Sequence, residues 1–363
     1  MRIGRGSAIL QAMTPGRATP IDVALLIPLH GSAGIFGPSC ELCAELAVHE
    51  LNAAGGIAGR EVRLRVVDGA QPAQAARAIR PLADAGRIEA VVGWHLSSVR
   101  RAIAPIVAGR LPYVYTALYE GGERTPGVFV VGETPGRQLL PAMRWYRREH
   151  GVRRWCLVGN DYVWPRETAA AARVFAGLCD GVVTDELYLP LGTEDFGDAL
   201  RRIEACDADA VLMLLVGDDA ARFNRAFAAA GLDDRRRLST LVDENVLLAS
   251  GAASTRGLGA AAAYFEALVT PESLDFGARY GARFGPDAPP LNSIGESCYE
   301  GLLLLAELAR RAGGLDVVEM CAIADSVAYA GPRGDLRLRE RHVDQPVYLA
   351  EADGLELDVV ARL

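Results

Sequence analysis

The chain has 363 residues, of which 50% are hydrophobic and 23% are charged, and its formal net charge is −8 at pH 7. This length and composition allow two globular domains of ordinary size and exclude a disordered chain. The negative charge argues against a nucleic-acid-binding surface, which requires a basic patch. Every basic residue is Arg and none is Lys, so Schiff-base chemistry on a Lys and phosphate binding by a P-loop Lys are excluded.

The first 19 residues are predicted to be an N-terminal extension that lacks the features of a secretory signal. Arg2 and Arg5 are followed by a short apolar run at 8–10, whereas a signal peptide needs about 7–15 apolar residues. The seven cysteines are odd in number and irregularly spaced, which is typical of a reducing compartment. No apolar run is long enough to span a membrane. We therefore expect a cytoplasmic protein, or a periplasmic one if the true start differs from Met1.

Strands and helices alternate along the chain in two successive series. Near-continuous apolar strands separated by helices are typical of parallel sheets that are covered on both faces. The pattern therefore predicts an α/β fold with two doubly wound parallel-sheet lobes. The predicted strands of the two series lie at 21–29, 61–68, 89–94 and 111–116, and at 153–161, 182–189, 208–216 and 236–242.

The C-terminal part of the chain breaks this alternation. Two predicted helices, at 271–286 and 293–313, are followed by the short strand-like segments DLRLRE, QPVYLAEA and LELDVVARL. These late strands indicate that the chain returns to complete lobes begun earlier. The predicted crossings between the lobes lie near 131–134, 264–268 and 330–336. One lobe is expected to comprise 20–132 plus 267–333, and the other 133–266 plus 334–363.

No catalytic motif is found in the sequence. The five histidines include no HExxH motif and no pair at the spacing of metal ligands. Cys40 and Cys43 form a lone CxxC on an amphipathic helix, where buried structural thiols are the favoured interpretation. Nucleotide-binding fingerprints and a GxSxG elbow are also missing. We therefore expect a protein without enzymatic activity, metal or cofactor.

Polar and aromatic residues follow the predicted strands at their carboxyl ends, which is where open α/β sheets bind ligands. Ser97 could either cap the helix that follows it or offer its hydroxyl, with the first helix amides, to a ligand oxygen. Because such ends occur in both series, we expect a small-molecule cleft between the two lobes. The residues at these ends are His95, Ser97, Ser98, Tyr115, Tyr162, Trp164, Val216 and Asp243.

The segment IPLHGSAGIFGPSCELCAELAVHELNAAGGIAGREVRLRVVD resembles the opening of the type I periplasmic-binding-protein family, in its branched-chain amino-acid receptor class. The resemblance covers about residues 20–355. Within that class, VVGWHLSSVRRAIAPI, YTALYEGGERTPGVFVVGETPGRQLLP and VGNDYVWPRETAA resemble the short-chain amide and urea subgroup, which includes an amide sensor of an amidase operon. The resemblance implies two lobes that close by a hinge motion around a ligand and perform no chemistry.

The resemblance also implies roles for individual residues. Ser97 would hold the ligand carbonyl, and His95 replaces the Tyr that amide sensors tend to have, a change that could admit a more polar ligand. Asp243 matches the family only loosely, since amide sensors tend to have hydroxyl residues in this loop. From its position at a strand end alone, its carboxylate would either pair with a ligand ammonium or serve only its helix N-terminus. The remaining positions that the resemblance places at the ligand are Tyr115, Ala117, Leu118, Tyr162, Trp164 and Val216.

These observations favour a cytoplasmic sensor that regulates amide metabolism by binding and releasing a regulatory protein. The alternative is the substrate-binding subunit of an ABC importer for amides, urea or branched-chain amino acids, which would have a permease as its partner. A neutral amide or urea is the first expected ligand and an amino acid is the second. The sequence leaves a homodimer open.

Overall fold

The computed structural model describes residues 19–363. The predicted extension at 1–19 therefore lies, except for Thr19, outside the described residues. The described part forms two α/β lobes, each built on its own sheet.

The strands of the first lobe are β1 (Ile21–Ile27), β2 (Val62–Asp68), β3 (Ala90–Gly93), β4 (Tyr113–Tyr115), β5 (Val128–Val130), β11 (Ala328–Gly331), β12 (Gly334–Arg339) and β13 (His342–Asp344). They form one sheet in the order β11-β12-β13-β5-β4-β3-β1-β2. Strands β1 to β5 pair in parallel. The late strands β11 and β12 form an antiparallel hairpin at its edge.

The strands of the second lobe are β6 (Arg154–Asn160), β7 (Val182–Leu189), β8 (Ala210–Leu214), β9 (Arg236–Ser239), β10 (Leu258–Ala262), β14 (Tyr348–Asp353) and β15 (Glu356–Arg362). Their order in the sheet is β15-β14-β10-β9-β8-β6-β7. Strands β6 to β10 are parallel, β14 pairs antiparallel with β10, and β15 pairs antiparallel with β14. Both sheets are therefore mixed, with the predicted parallel strands at their centres.

Helices cover the faces of both sheets. Those of the first lobe are α1 (Gly37–Ala53), α2 (Pro72–Asp84), α3 (Ser97–Val107), α9 (Pro271–Phe284), α10 (Ser293–Ala312) and α11 (Val317–Ile323). Those of the second lobe are α4 (Pro135–Glu149), α5 (Val163–Leu178), α6 (Gly197–Ala205), α7 (Gly217–Ala229) and α8 (Glu244–Ser250). Short 3₁₀ turns lie at Gly34–Phe36, Ala252–Ser254 and Ala324–Ser326.

The chain passes between the sheets after Val130, after Ala262 and after Asp344. The last passage lies beyond the expected 330–336, so β12 and β13 belong to the first lobe. The reason is that β13 pairs with β12 on one side and, through His342 and Val130, with β5 on the other. This pairing holds the tail in the first sheet for two strands more, β12 and β13, than the sequence suggested.

Candidate functional site

The two lobes contact each other across a cleft at the carboxyl ends of their parallel strands. Ser32, in the loop after β1, accepts a hydrogen bond on its carbonyl from the Asp218 amide at 2.9 Å. The Ser32 hydroxyl donates to Asp219 Oδ1 at 3.0 Å. Further out, Arg101 of α3 forms an ion pair with Glu167 of α5 at 2.7 Å. The lobes are therefore closed on each other.

A cavity of about 20 Å³ remains between the closed lobes, on the hinge side of the cleft. A space of this size holds about one water molecule. In the closed form the cleft is thus filled mainly by the protein's own side chains, and a ligand must be small or must displace them. The first lobe lines the cavity with Trp94, Thr116, Leu118 and Arg333, and the second lobe lines it with Thr240 and Asp243, among others.

Ser97 presents a buried hydroxyl at the start of α3. The N-cap of this helix is Leu96, and Ser97 is already its first residue, so Ser97 does not cap the helix with its side chain. Its Oγ is buried and finds no hydrogen-bond partner among residues 19–363. Because the first amides of a helix also lack intrahelical partners, this end of α3 can bind a ligand oxygen.

His95 lies behind the cleft wall. Its Nε2 lies 2.8 Å from the Tyr113 hydroxyl and its Nδ1 lies 3.3 Å from the Leu96 carbonyl oxygen. Burial lowers the pKa of His95 to about 3, so the imidazole is neutral at physiological pH. The Tyr115 hydroxyl donates to the His95 carbonyl at 2.9 Å. In this structure His95 therefore positions Tyr115 and supplies no positive charge to the cleft.

A buried charged cluster next to Tyr115 was not identified from the sequence. Arg100 of α3 donates to Glu120 Oε1 at 2.7 Å and also pairs with Glu123. Its guanidinium carbon lies 5.5 Å from the centre of the Tyr115 ring. The second carboxylate oxygen of Glu120, Oε2, is buried without a partner in the described part of the chain. The sequence feature that indicates this cluster is the segment YEGGE, which places Glu120 and Glu123 shortly after β4.

Tyr162 and Trp164 form the second-lobe side of the cleft. Tyr162 is the N-cap residue of α5, Trp164 lies in the first turn, and their ring centres are 6.2 Å apart. Burial raises the pKa of Tyr162, and the nearby Tyr115 and Glu120 raise it further. Tyr162 therefore lies close enough to Tyr115 and Glu120 of the first lobe to interact with them electrostatically.

The two carboxylate oxygens of Asp243 have different surroundings in the structure. Its Oδ1 accepts a hydrogen bond from the Val246 amide at 3.0 Å and caps α8. Its Oδ2 is buried without a partner within residues 19–363, as is the hydroxyl of the nearby Thr240. Burial raises the pKa of Asp243 to about 7, although backbone hydrogen bonds act in the opposite direction. A capping role thus leaves one oxygen for a ligand.

The predicted site residues are only partly brought together. Leu118 and Asp243 line the cavity. Val216 is fully buried in front of α7, where its amide donates to Asn160 Oδ1 at 2.8 Å. Ala117 is buried next to the first crossing. The predicted residues of the described chain that do not line this cavity are His95, Ser97, Ser98, Tyr115, Ala117, Tyr162, Trp164 and Val216.

The hinge side of the cavity is charged and was also missed from the sequence. Arg333 is buried, and it donates from Nε to Glu296 Oε2 at 2.5 Å and from Nη1 to Gln345 Oε1 at 2.6 Å. Glu133, in the first crossing, accepts the Ala263 amide at 2.6 Å. Arg333 and Glu296 are 37 positions apart and Glu133 and Ala263 are 130 apart, which explains why no local pattern revealed these contacts.

The closed two-lobed fold and its interlobe cleft are those of a ligand receptor, and sequence comparison identifies the class. A sequence model of the family described as Periplasmic binding protein matches residues 20–356. The chain belongs to this family.

Individual relatives extend along nearly the whole chain. The Leu/Ile/Val-binding protein homolog 6 of Brucella suis biovar 1 (strain 1330) is 24% identical over 357 residues, covering 94% of this chain and 89% of the relative. An ABC transporter substrate-binding protein from Sphaerobacter thermophilus is 28% identical, with a TM-score of 0.81 and coverage of 95% and 98%. A solute binding protein from R. palustris in complex with benzoate is 22% identical, with a TM-score of 0.83 and coverage of 94% and 96%; this likeness shows the fold.

The comparisons correct one expectation and weaken another. The expected cytoplasmic location is wrong, because the matching family is that of the periplasmic binding proteins. The amide-sensor subgroup and a role in regulation find no support among these relatives. No helix within residues 19–363 combines the length and apolarity of a membrane span. The same residues contain no group of His, Cys, Asp and Glu that could hold a metal ion.

Proposed function

We propose that this protein is the substrate-binding subunit of an ABC importer and that it closes around a small ligand without transforming it. The Brucella relative carries the name of a Leu/Ile/Val-binding protein, and the Sphaerobacter protein is an ABC transporter substrate-binding protein. Both similarities span more than nine tenths of this chain. In this role the protein works on the outer side of the membrane, and its partner is an ABC permease.

The ligand is inferred from buried oxygens that lack partners on both sides of the cleft. These are Ser97 Oγ on the first lobe and Thr240 Oγ1 and Asp243 Oδ2 on the second, none of which is bonded to a residue in 19–363. Ser97 would donate to a carboxylate or carbonyl oxygen, and the two second-lobe oxygens would accept from an amino group. A small amino acid satisfies all three. Short amides and urea offer similar hydrogen bonds without a charge and are the second candidates.

A thermal-shift screen tests this proposal, because a ligand that binds only the folded state raises the melting temperature. The screen should include glycine, alanine, leucine, acetamide, propionamide, urea and benzoate. We expect the largest rise with a small amino acid. If neither amino acids nor amides shift the melting temperature, the proposal is wrong.

Calorimetry at two pH values distinguishes the two ligand classes. An ammonium group pairs with ionised Asp243, whose pKa is raised by burial to about 7. The affinity for an amino acid should therefore fall by up to about tenfold for each pH unit below 7. A neutral amide should bind with nearly the same affinity at pH 6 and pH 8. If the ligand shows such pH-independent binding, amides replace amino acids as the first candidate class.

A further inference from the structure

Two cysteines of the second lobe lie close together although 50 positions separate them in the sequence. Cys156 is buried in β6, and Cys206 is the partly exposed residue that caps the C-terminus of α6. Both are free thiols in the structure. Neither contributes to the ligand cavity or to the contacts between the lobes described above, so the proposed function gives them no role.

An ion pair fixes the end of α6 over the strand next to Cys156. In the parallel register of β6 and β7, Cys156 lies opposite Asp185. The Asp185 carboxylate accepts from Arg202 Nη2 at 2.6 and 2.9 Å. Arg202 precedes Cys206 by four residues, and the Cys206 amide donates to the Arg202 carbonyl at 2.9 Å. Residues four apart lie on the same face of a helix, so Cys206 is held on the side that faces Asp185 and Cys156.

A β-bulge brings the sulfur of Cys206 closer to β6. The register of β6 and β7 shifts between Trp155 and Cys156, so Thr184 lies opposite this junction without a partner residue of its own. The Thr184 hydroxyl lies 3.2 Å from Cys206 Sγ and 3.1 Å from the Trp155 carbonyl oxygen. The Thr184 hydroxyl therefore bridges the Cys206 sulfur and the β6 backbone at the residue before Cys156.

The alternation of side chains along a strand places the Cys156 thiol on the face opposite Trp155. The Trp155 ring packs against Tyr146 of α4, with the ring centres 5.7 Å apart. Burial raises the pKa of Cys156, and the adjacent Cys206 raises it further. Because Thr184 also holds the Cys206 sulfur beside the junction of Trp155 and Cys156, the two thiols are neighbours beneath the end of α6.

We propose that Cys156 and Cys206 form a disulfide in the exported protein, joining β6 to the end of α6. This inference rests on the proposed function, because an importer subunit works in a compartment where disulfides form and persist. The Cys206 thiolate, on the accessible residue, attacks a disulfide of a thiol–disulfide oxidant, such as oxidised glutathione or a protein disulfide, and releases one thiolate. The Cys156 thiolate then attacks the Cys206 sulfur of this mixed disulfide and releases the second thiolate of the oxidant. Two thiols lose two protons and two electrons, and the oxidant is reduced to two thiols.

The crosslink would stiffen the strand that leads to the cleft. Strand β6 ends at Asn160, directly before Tyr162 and Trp164. A disulfide stabilises the folded state mainly by constraining the unfolded chain, and this stabilisation is large for a closed loop of about fifty residues. We expect oxidation to raise the melting temperature by roughly 5–10 °C.

Peptide mapping of the full chain tests the proposal directly. The protein is purified from the periplasm without reductant, or treated with oxidised glutathione, and its free thiols are alkylated in denaturant. We expect five alkylated cysteines of the seven in the chain. Trypsin should release peptide 155–166 joined to peptide 203–222, and a reductant should separate them.

Cysteine variants provide the controls. Cys156→Ser and Cys206→Ser should each abolish the joined peptide, and Cys179→Ser, which changes another buried cysteine of the second lobe, should leave it intact. Seven alkylated thiols in the oxidised wild-type protein, or a crosslink between other cysteines, would overturn the proposal even if a variant fails to fold. If oxidised wild-type protein that lacks the joined peptide still binds a ligand, the proposed function stands without the disulfide. A joined peptide without ligand binding would refute only the function.

Discussion

The close contact between Gly217 and Ser32 across the two lobes predicts that Gly217→Ala will weaken ligand binding by opposing closure. Gly217 starts α7 in the second lobe with φ +46°, and a Cβ built on it would lie 2.1 Å from the carbonyl oxygen of Ser32 in the first lobe. Real Cβ atoms do not approach a backbone oxygen so closely. An Ala at this position must therefore push the lobes apart by about 1 Å before the clash is relieved.

The size of the effect follows from the contacts that this displacement breaks. These are the bond from the Asp218 amide to the Ser32 carbonyl, at 2.9 Å, and the bond from the Ser32 hydroxyl to Asp219, at 3.0 Å. A neutral hydrogen bond contributes about 0.5–1.5 kcal/mol and one to a charged group about 1.5–3 kcal/mol. Closure should therefore be destabilised by about 2–4 kcal/mol, which raises the Kd by roughly 30- to 1000-fold.

Isothermal titration calorimetry with the ligand from the thermal-shift screen measures this change. Gly231→Ala is the matched control, because Gly231 also has a positive φ, +69°, in the second lobe but its Cβ would meet nothing within 4 Å. Both variants carry the strain of a left-handed Ala, about 1–2 kcal/mol, in the open and the closed form alike. An equal Kd for the two variants would refute the argument that contact between Gly217 and Ser32 limits closure.

Three further substitutions test the site and its support. Ser97→Ala should weaken binding by about 1–3 kcal/mol in calorimetry without lowering the melting temperature of the ligand-free protein; unchanged affinity would remove Ser97 from the site. The raised pKa of Asp243, about 7, means that the folded protein binds more protons than the unfolded chain between pH ~4 and 7, so stability falls as the pH rises through this window. Asp243→Asn keeps the helix cap and should reduce the difference in urea-unfolding free energy between pH 5 and pH 8; an unaltered difference contradicts this. Arg237→Met, which removes donors to Asn224 and to two carbonyl oxygens, should cost about 3 kcal/mol of unfolding free energy, whereas the exposed Arg201→Met should change it by less than ~0.5 kcal/mol.

The central strands could be predicted because each is a buried apolar segment between helices. Strand β1, for example, is almost entirely buried, and its sequence IDVALLI shows this directly. Strands β5 and β10 were missed for two different reasons. The first is only three residues long, and the second, LGAAA, has the composition of a helix although it pairs with β9 and β14. Tertiary pairing overrides intrinsic propensity in such short segments.

Residues of the candidate site could be predicted where they follow a strand directly and not where distant segments meet. Ser97, Tyr115 and Tyr162 could be located by their positions at strand ends. The contact of Arg333 with Glu296 depends on how the tail folds back onto α10, and no spacing in the sequence encodes it. His95 could also be located at a strand end, but the contact of its ring with the Tyr113 hydroxyl is not indicated by any pattern in the sequence.

The unpaired oxygens also explain how a ligand could control closure. In the closed form Ser97, Glu120, Thr240 and Asp243 each bury an oxygen that has no partner within the described residues. Leaving such a group unsatisfied costs about 1–3 kcal/mol, and the cavity of about 20 Å³, which only Thr240 and Asp243 of these four line, has room for about one water molecule. Together these costs match or exceed the few kcal/mol that the contacts around Ser32 contribute. The empty protein should therefore favour an open form, and a ligand that satisfies these oxygens shifts the population toward the closed one.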